Sequence, residues 1–174
     1  GGEEQGWPEA ARPVVDEHGD TAQAAVFHER IQARLAVGHD QVGVSIGIES
    51  AKKVAAAAVA EAQKNRWRMA IAIVDTGGHL VYFEKMQDTQ TGSVDLAIEK
   101  AKTSALFRRP SKLFEDGVAQ GGAGLRLLRL TGAIPIDGGV PIIEEGKLIG
   151  AIGISGGSGE QDGQTAVAGA RAIR

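Results

Sequence analysis

The sequence predicts an α+β fold in which helices pack against a mostly antiparallel sheet. Two observations carry that prediction. Stripes of helical period run through Glu49–Asn65, Ser93–Pro110 and the segment after Ser158. Between them, short apolar runs are joined in pairs by tight turns at Thr76–His79 and Glu144–Lys147, as in hairpins. The domain division expected is a polar arm and helix over residues 1–38, followed by one domain over 39–174.

Taken in order, Gly1–Gly19 is polar and carries Pro8 and Pro13, the composition of an unpacked arm. Asp20 and Gln23 have capping-box spacing, and Ala24, Phe27, Ile31 and Leu35 then repeat as an apolar helical stripe to Gly38. Val42, Val44, Ile46 and Ile48 alternate with small residues, the pattern of a short strand or an extended lead into the next helix. Val54, Ala55, Ala58, Val59 and Ala62 give the helix 49–65 its apolar side. Met69–Val74 and Leu80–Glu84 read as a hairpin. After the helix at 93–110, the segment 111–129 is less regular. Leu125, Leu127, Leu128 and Leu130 suggest a short helix or strand there. Pro141 places the strand Val140–Ile143 at an edge or a bulge, and Leu148–Ile154 returns from it. Ser158 and Gln161 form a second capping box for the last helix.

Composition excludes several classes. Nineteen basic against 22 acidic residues give a charge of −3, which offers nucleic acid no electrostatic footprint. There is no cysteine, hence no disulfide, thiolate nucleophile or iron–sulfur cluster. Neither a dinucleotide-binding glycine fingerprint nor a P-loop occurs, and no cysteine nucleophile is available to a hydrolase. The four histidines never stand three or four residues apart, so no helical metal pair is written. His79 reads as a solvated turn residue, and Asp75, Asp137 and Asp162 as Asx turns or caps beside glycine-rich turns. His28, with carboxylates such as Glu29, is the candidate for a surface iron site.

Chemistry concentrates on the helix Ser93–Pro110. Val94, Ala97, Ile98, Ala101 and Ala105 form an ordinary core stripe, with Ser93 as the expected cap. Leu96, Thr103, Leu106 and Phe107 make a second apolar face, with Thr103 about half a revolution from Val94. Lys100, Lys102, Arg108 and Arg109 are placed to meet anionic groups at its rim. A second apolar face on one helix points to a subunit contact or a flat apolar ligand. For Thr103 the structural alternative is a hydrogen bond returned to the carbonyl of Glu99.

Several ordered motifs together resemble the GlcG/HbpS family, which includes the C-terminal domain of the PduO corrinoid proteins. They are GSVDLA at 92–97, KAKTSA at 100–105, VDTGGHL at 74–80, GGVPI at 138–142 and IGAIGISGG at 149–157. Gly163 stands where members usually carry Glu, and Ser111 where Thr is common. The resemblance implies a sheet of about five antiparallel strands, and homo-oligomers up to octamers. It also implies haem as cofactor, with Thr103 near the iron; Leu96, Lys100, Phe107 and Arg108, read from the same helix, are the candidate contacts around it. A threonine-held haem is weakly ligated, which suits a sensor or scavenger, or peroxide-dependent haem degradation, better than electron transfer. The N-terminal extension is similar to the secreted haem-binding branch, linked to haem and iron handling and to a membrane two-component sensor kinase under redox stress. The rival expectations are a cytosolic accessory protein or enzyme of glycolate or corrinoid metabolism, and a purely structural assembly module.

Overall fold

The computed structural model describes residues 45–173. The arm, the first predicted helix with His28, and Val42–Val44 lie outside the described residues. Within them the chain runs through α1 (Ile48–Lys64), β1 (Ala70–Val74), β2 (Leu80–Lys85) and α2 (Ser93–Phe107). It continues through α3 (Lys112–Ala119), a 3-10 helix (Gly122–Arg129), β3 (Gly139–Glu144), β4 (Lys147–Ser155) and α4 (Gly159–Ala170). The four strands form one antiparallel sheet in the order β2-β1-β4-β3. The class is α+β as expected, with four strands among the described residues where about five were expected. Ile134–Ile136 stays out of the sheet. Ile46 only touches it, donating its N–H to the carbonyl of Ile149 at 2.8 Å, and Ile48 already opens α1.

Alternation along the central strands divides the core in two. Ile71, Ile73, Ile152 and Ile154 meet Ala51, Val54, Ala55, Ala58 and Ala62 of α1, together with Ala166 of α4. Each isoleucine is fully buried or nearly so, a contribution of about 1.5–3 kcal/mol per side chain. Ala70, Ala72, Val74 and Ala151 face the other way, onto Ala97, Ala101 and Ala105 of α2. Small residues on both sides let this helix lie almost backbone to backbone on the sheet. A Cβ at Gly153 would stand 2.0 Å from the carbonyl oxygen of Ala97, and one at Gly139 2.2 Å from that of Lys100.

The capping box of the last helix forms as expected, Ser158 Oγ accepting the Gln161 N–H and Gln161 the Ser158 N–H. At α2 the expected cap fails: Gly92 is the N-cap and Ser93 is the first helical residue, its hydroxyl buried and unpaired. Pro141 does sit on an edge strand, and β3 is irregular between Ile142 and Ile143.

Candidate functional site

The second face of α2 is covered over part of its length by the chain's own return. Thr103 is fully buried; its hydroxyl donates to the Glu99 carbonyl at 2.8 Å and accepts the Ile134 N–H at 2.8 Å. The expectation that this hydroxyl faces away from its own fold is therefore corrected. The physical reason is the segment between the 3-10 helix and β3, which runs back along α2. Gly132 comes close enough that its Cβ would lie 3.7 Å from Leu106 Cδ1.

Lys100 is not at a rim. Its ammonium donates to Asp162 Oδ2 at 2.7 Å and to the Ile154 carbonyl at 3.1 Å, with both charged side chains buried. Asp162 Oδ1 accepts the Gly157 N–H at 2.9 Å. Burial pushes the Asp162 carboxyl up, against the pull of the Lys100 ammonium and the backbone donors. This pair ties α2 to the end of β4 and the start of α4, a structural task.

Leu96 is half-buried. Phe107 is half-buried too and turns its ring edge-to-face on Phe114 of α3, with centroids 5.2 Å apart. Arg108 is exposed and ends the helix in the left-handed region at φ 53°. Leu106 is the large apolar side chain of α2 that is exposed, at 49%. Leu113, Leu125, Leu128 and Leu130 are also exposed, so 106–130 supplies five of the eight large exposed apolar residues among those described. Arg108, Arg109, Arg126 and Arg129 lie in the same segment, all exposed.

The β1–β2 turn stands beside this surface. A Cβ at Gly78 would lie 3.5 Å from Lys102 Cγ and 3.6 Å from Leu106 Cγ, so the turn seats on the C-terminal half of α2. Asp75 Oδ1 accepts the N–H groups of Gly77 and His79, both at 2.8 Å, and Oδ2 lies 3.2 Å from His79 Nδ1. Burial raises the Asp75 carboxyl, but these donors outweigh it and hold the group below its ordinary value. The Asx turn was legible in the sequence; the ring contact was not. The one signal for it was the spacing of an aspartate and a histidine four apart across two glycines.

Other features lie elsewhere. A groove of about 540 Å³ lined by Trp67, Arg66, Glu84 and Met86 sits at the far end of β2. Among the described residues no three His, Asp or Glu side chains converge as a metal site.

Comparison with known proteins gives a consistent set. Protein GlcG of Escherichia coli K12 is 38% identical over 112 residues, 64% of this chain and 82% of that protein. The crystal structure of a PduOC:heme complex aligns with a TM-score of 0.68 and 32% identity, covering 75% of this chain and 96% of that one. A Streptomyces reticuli HbpS double mutant aligns with a TM-score of 0.69 and 29% identity, covering 76% of this chain and 89% of that one. Matched over residues 46–171 by the family described as haem degrading protein HbpS-like, the chain belongs to that family.

Proposed function

We propose that the protein binds haem as a homo-oligomer and serves in haem and iron handling. The observation that carries this is the concentration of exposed leucines and arginines within 106–130. Five exposed leucines on one segment need a cover, and a flat apolar macrocycle or a second copy provides it. Haem is such a macrocycle, with two carboxylates that arginine guanidiniums pair with well. The family description and the haem in the PduOC structure support the same reading. When bound, haem would supply redox and peroxide chemistry at its iron. This chain would bind the ring on its leucines and orient the carboxylates toward its arginines. Thr103 fits the iron poorly, because its hydroxyl already uses its proton on Glu99 and a lone pair on Ile134.

Octameric assembly, export, redox sensing and a membrane sensor kinase as partner extend this proposal and rest on the resemblance of the chain to its relatives. A surface iron site at His28 rests on the sequence alone, on that histidine and carboxylates such as Glu29 beside it.

Titration of the purified chain with hemin tests the core of it. The expected result is a Soret band distinct from free hemin. Leu106→Asp or Leu128→Asp should weaken binding at least about tenfold, as a charge placed against an apolar ring does. Size exclusion with and without hemin reads assembly in the same samples. A chain that assembles normally and leaves the hemin spectrum unchanged is a structural module, and the proposal falls.

A further inference from the structure

We infer that His79, oriented by Asp75, is this protein's ligand to the haem iron; the inference rests on the haem reading above. Asp75 Oδ1 takes both side-chain bonds of the turn, accepting the Gly77 and His79 N–H groups, and Oδ2 is left for the ring at 3.2 Å from Nδ1. A carboxylate beside Nδ1 fixes the proton there and leaves Nε2 with its lone pair, the arrangement in which histidines ligate metals. Gly77 holds the ring's pose: a Cβ there would stand 2.9 Å from both Cε1 and Nδ1, so the imidazole lies across the glycine. The side chain is 83% exposed. Iron can reach it.

The surroundings select the kind of metal. With no three-donor cluster among the described residues, His79 has no partners with which to hold a bare ion. A haem brings four nitrogens of its own and asks the protein for one axial ligand. Apolar surface is at hand. Leu80, next in sequence and 49% exposed, pairs with Val74 and so lies on the α2 side of the sheet. Through Gly78 the turn meets Leu106 and the stem of Lys102. Lys102 carries a partly exposed ammonium, now paired with Glu99 at 2.8 Å, within the same neighbourhood for a haem carboxylate.

Hemin titration of the full chain, with resonance Raman and EPR of the product, tests the assignment. His79→Ala should bind at least tenfold more weakly and lose the signature of axial nitrogen ligation, with an unchanged melting temperature because the ring is exposed. Asp75→Asn should keep the ligand but lower the ferrous iron–imidazole stretching frequency, since the carboxylate makes the imidazole a stronger donor. If wild type binds hemin and His79→Ala matches it in affinity and spectrum, the assignment is overturned while the haem reading stands. If wild type binds no hemin, both fall.

Discussion

Lys100 Nζ lies 2.7 Å from Asp162 Oδ2, and the two side chains are 1% and 3% exposed. They join the helix on one side of the sheet to the N-terminus of the helix on the other. Such a pair contributes little over a well-packed apolar substitute, yet removing one partner strands a buried charge. Asp162→Ala should therefore cost about 3–5 kcal/mol. Lys100→Met with Asp162→Leu should recover at least half of that loss. Urea unfolding of the two singles and the double measures it, and a double as unstable as the singles would refute the stranded-charge account.

The contact between α2 and the sheet makes a second prediction. At Gly153 an added Cβ meets the Ala97 carbonyl at 2.0 Å and the Ala101 N at 2.5 Å, all backbone. Nothing there can rotate away, so helix and sheet must separate. Gly153→Ala should destabilise by about 3 kcal/mol or more, at the severe end of overpacking. Gly163→Ala is the contrast. Its new Cβ would meet the Asp137 carboxylate at 2.6 Å, a side-chain end, and the helix gains up to about 1 kcal/mol in propensity. Thermal melts of the two should differ by many degrees in that order.

Helical period, the turn glycines and the second capping box made the class and most element positions readable from the residues. The alanine stripe 97-101-105 was visible as a core face. Its intimacy with Gly139 and Gly153 was not, because periodicity says that a face is buried and nothing about what it meets. Lys100 falls three residues after Ala97 and one before Ala101, on the edge of that stripe, so spacing already hinted at burial. What hid its role was Asp162, 62 residues away, which reads alone as a helix-cap aspartate. Thr103 was misplaced for a related reason. Its wheel position is opposite Val94, and only the non-local return of 130–134 buries it.

That return yields the third prediction. Thr103 Oγ1 is the acceptor for the Ile134 N–H, at 2.8 Å. Thr103→Ala leaves that donor unpaired and should cost about 1–2 kcal/mol, while Thr103→Ser keeps the bond and should stay within about 1 kcal/mol of wild type. Hydrogen exchange at the Ile134 amide separates the two, with protection lost only in the alanine variant. Equal exchange in both would mean the hydroxyl does not hold this segment.

Asp137 carries the pH dependence most open to test. Burial pushes its carboxyl up, the Gly138 N–H at 2.6 Å opposes, and the Glu115 charge pushes it further; Lys112 and Lys100 pull it back. The folded value lies above the unfolded one, so between the two the native state holds a proton that the unfolded chain has released. Stability contributed by this group is then present at pH below the ordinary aspartate value of about 3.9 and is lost as pH rises through the raised folded value. Asp137→Asn removes that loss, and its amide oxygen can still accept the Gly138 N–H. The variant should gain on wild type as pH rises from 4 toward 7, with the difference closing at the acid end. A gain that instead grows toward acid would mean the carboxyl is depressed in the fold, and that Lys112 and Lys100 outweigh its burial.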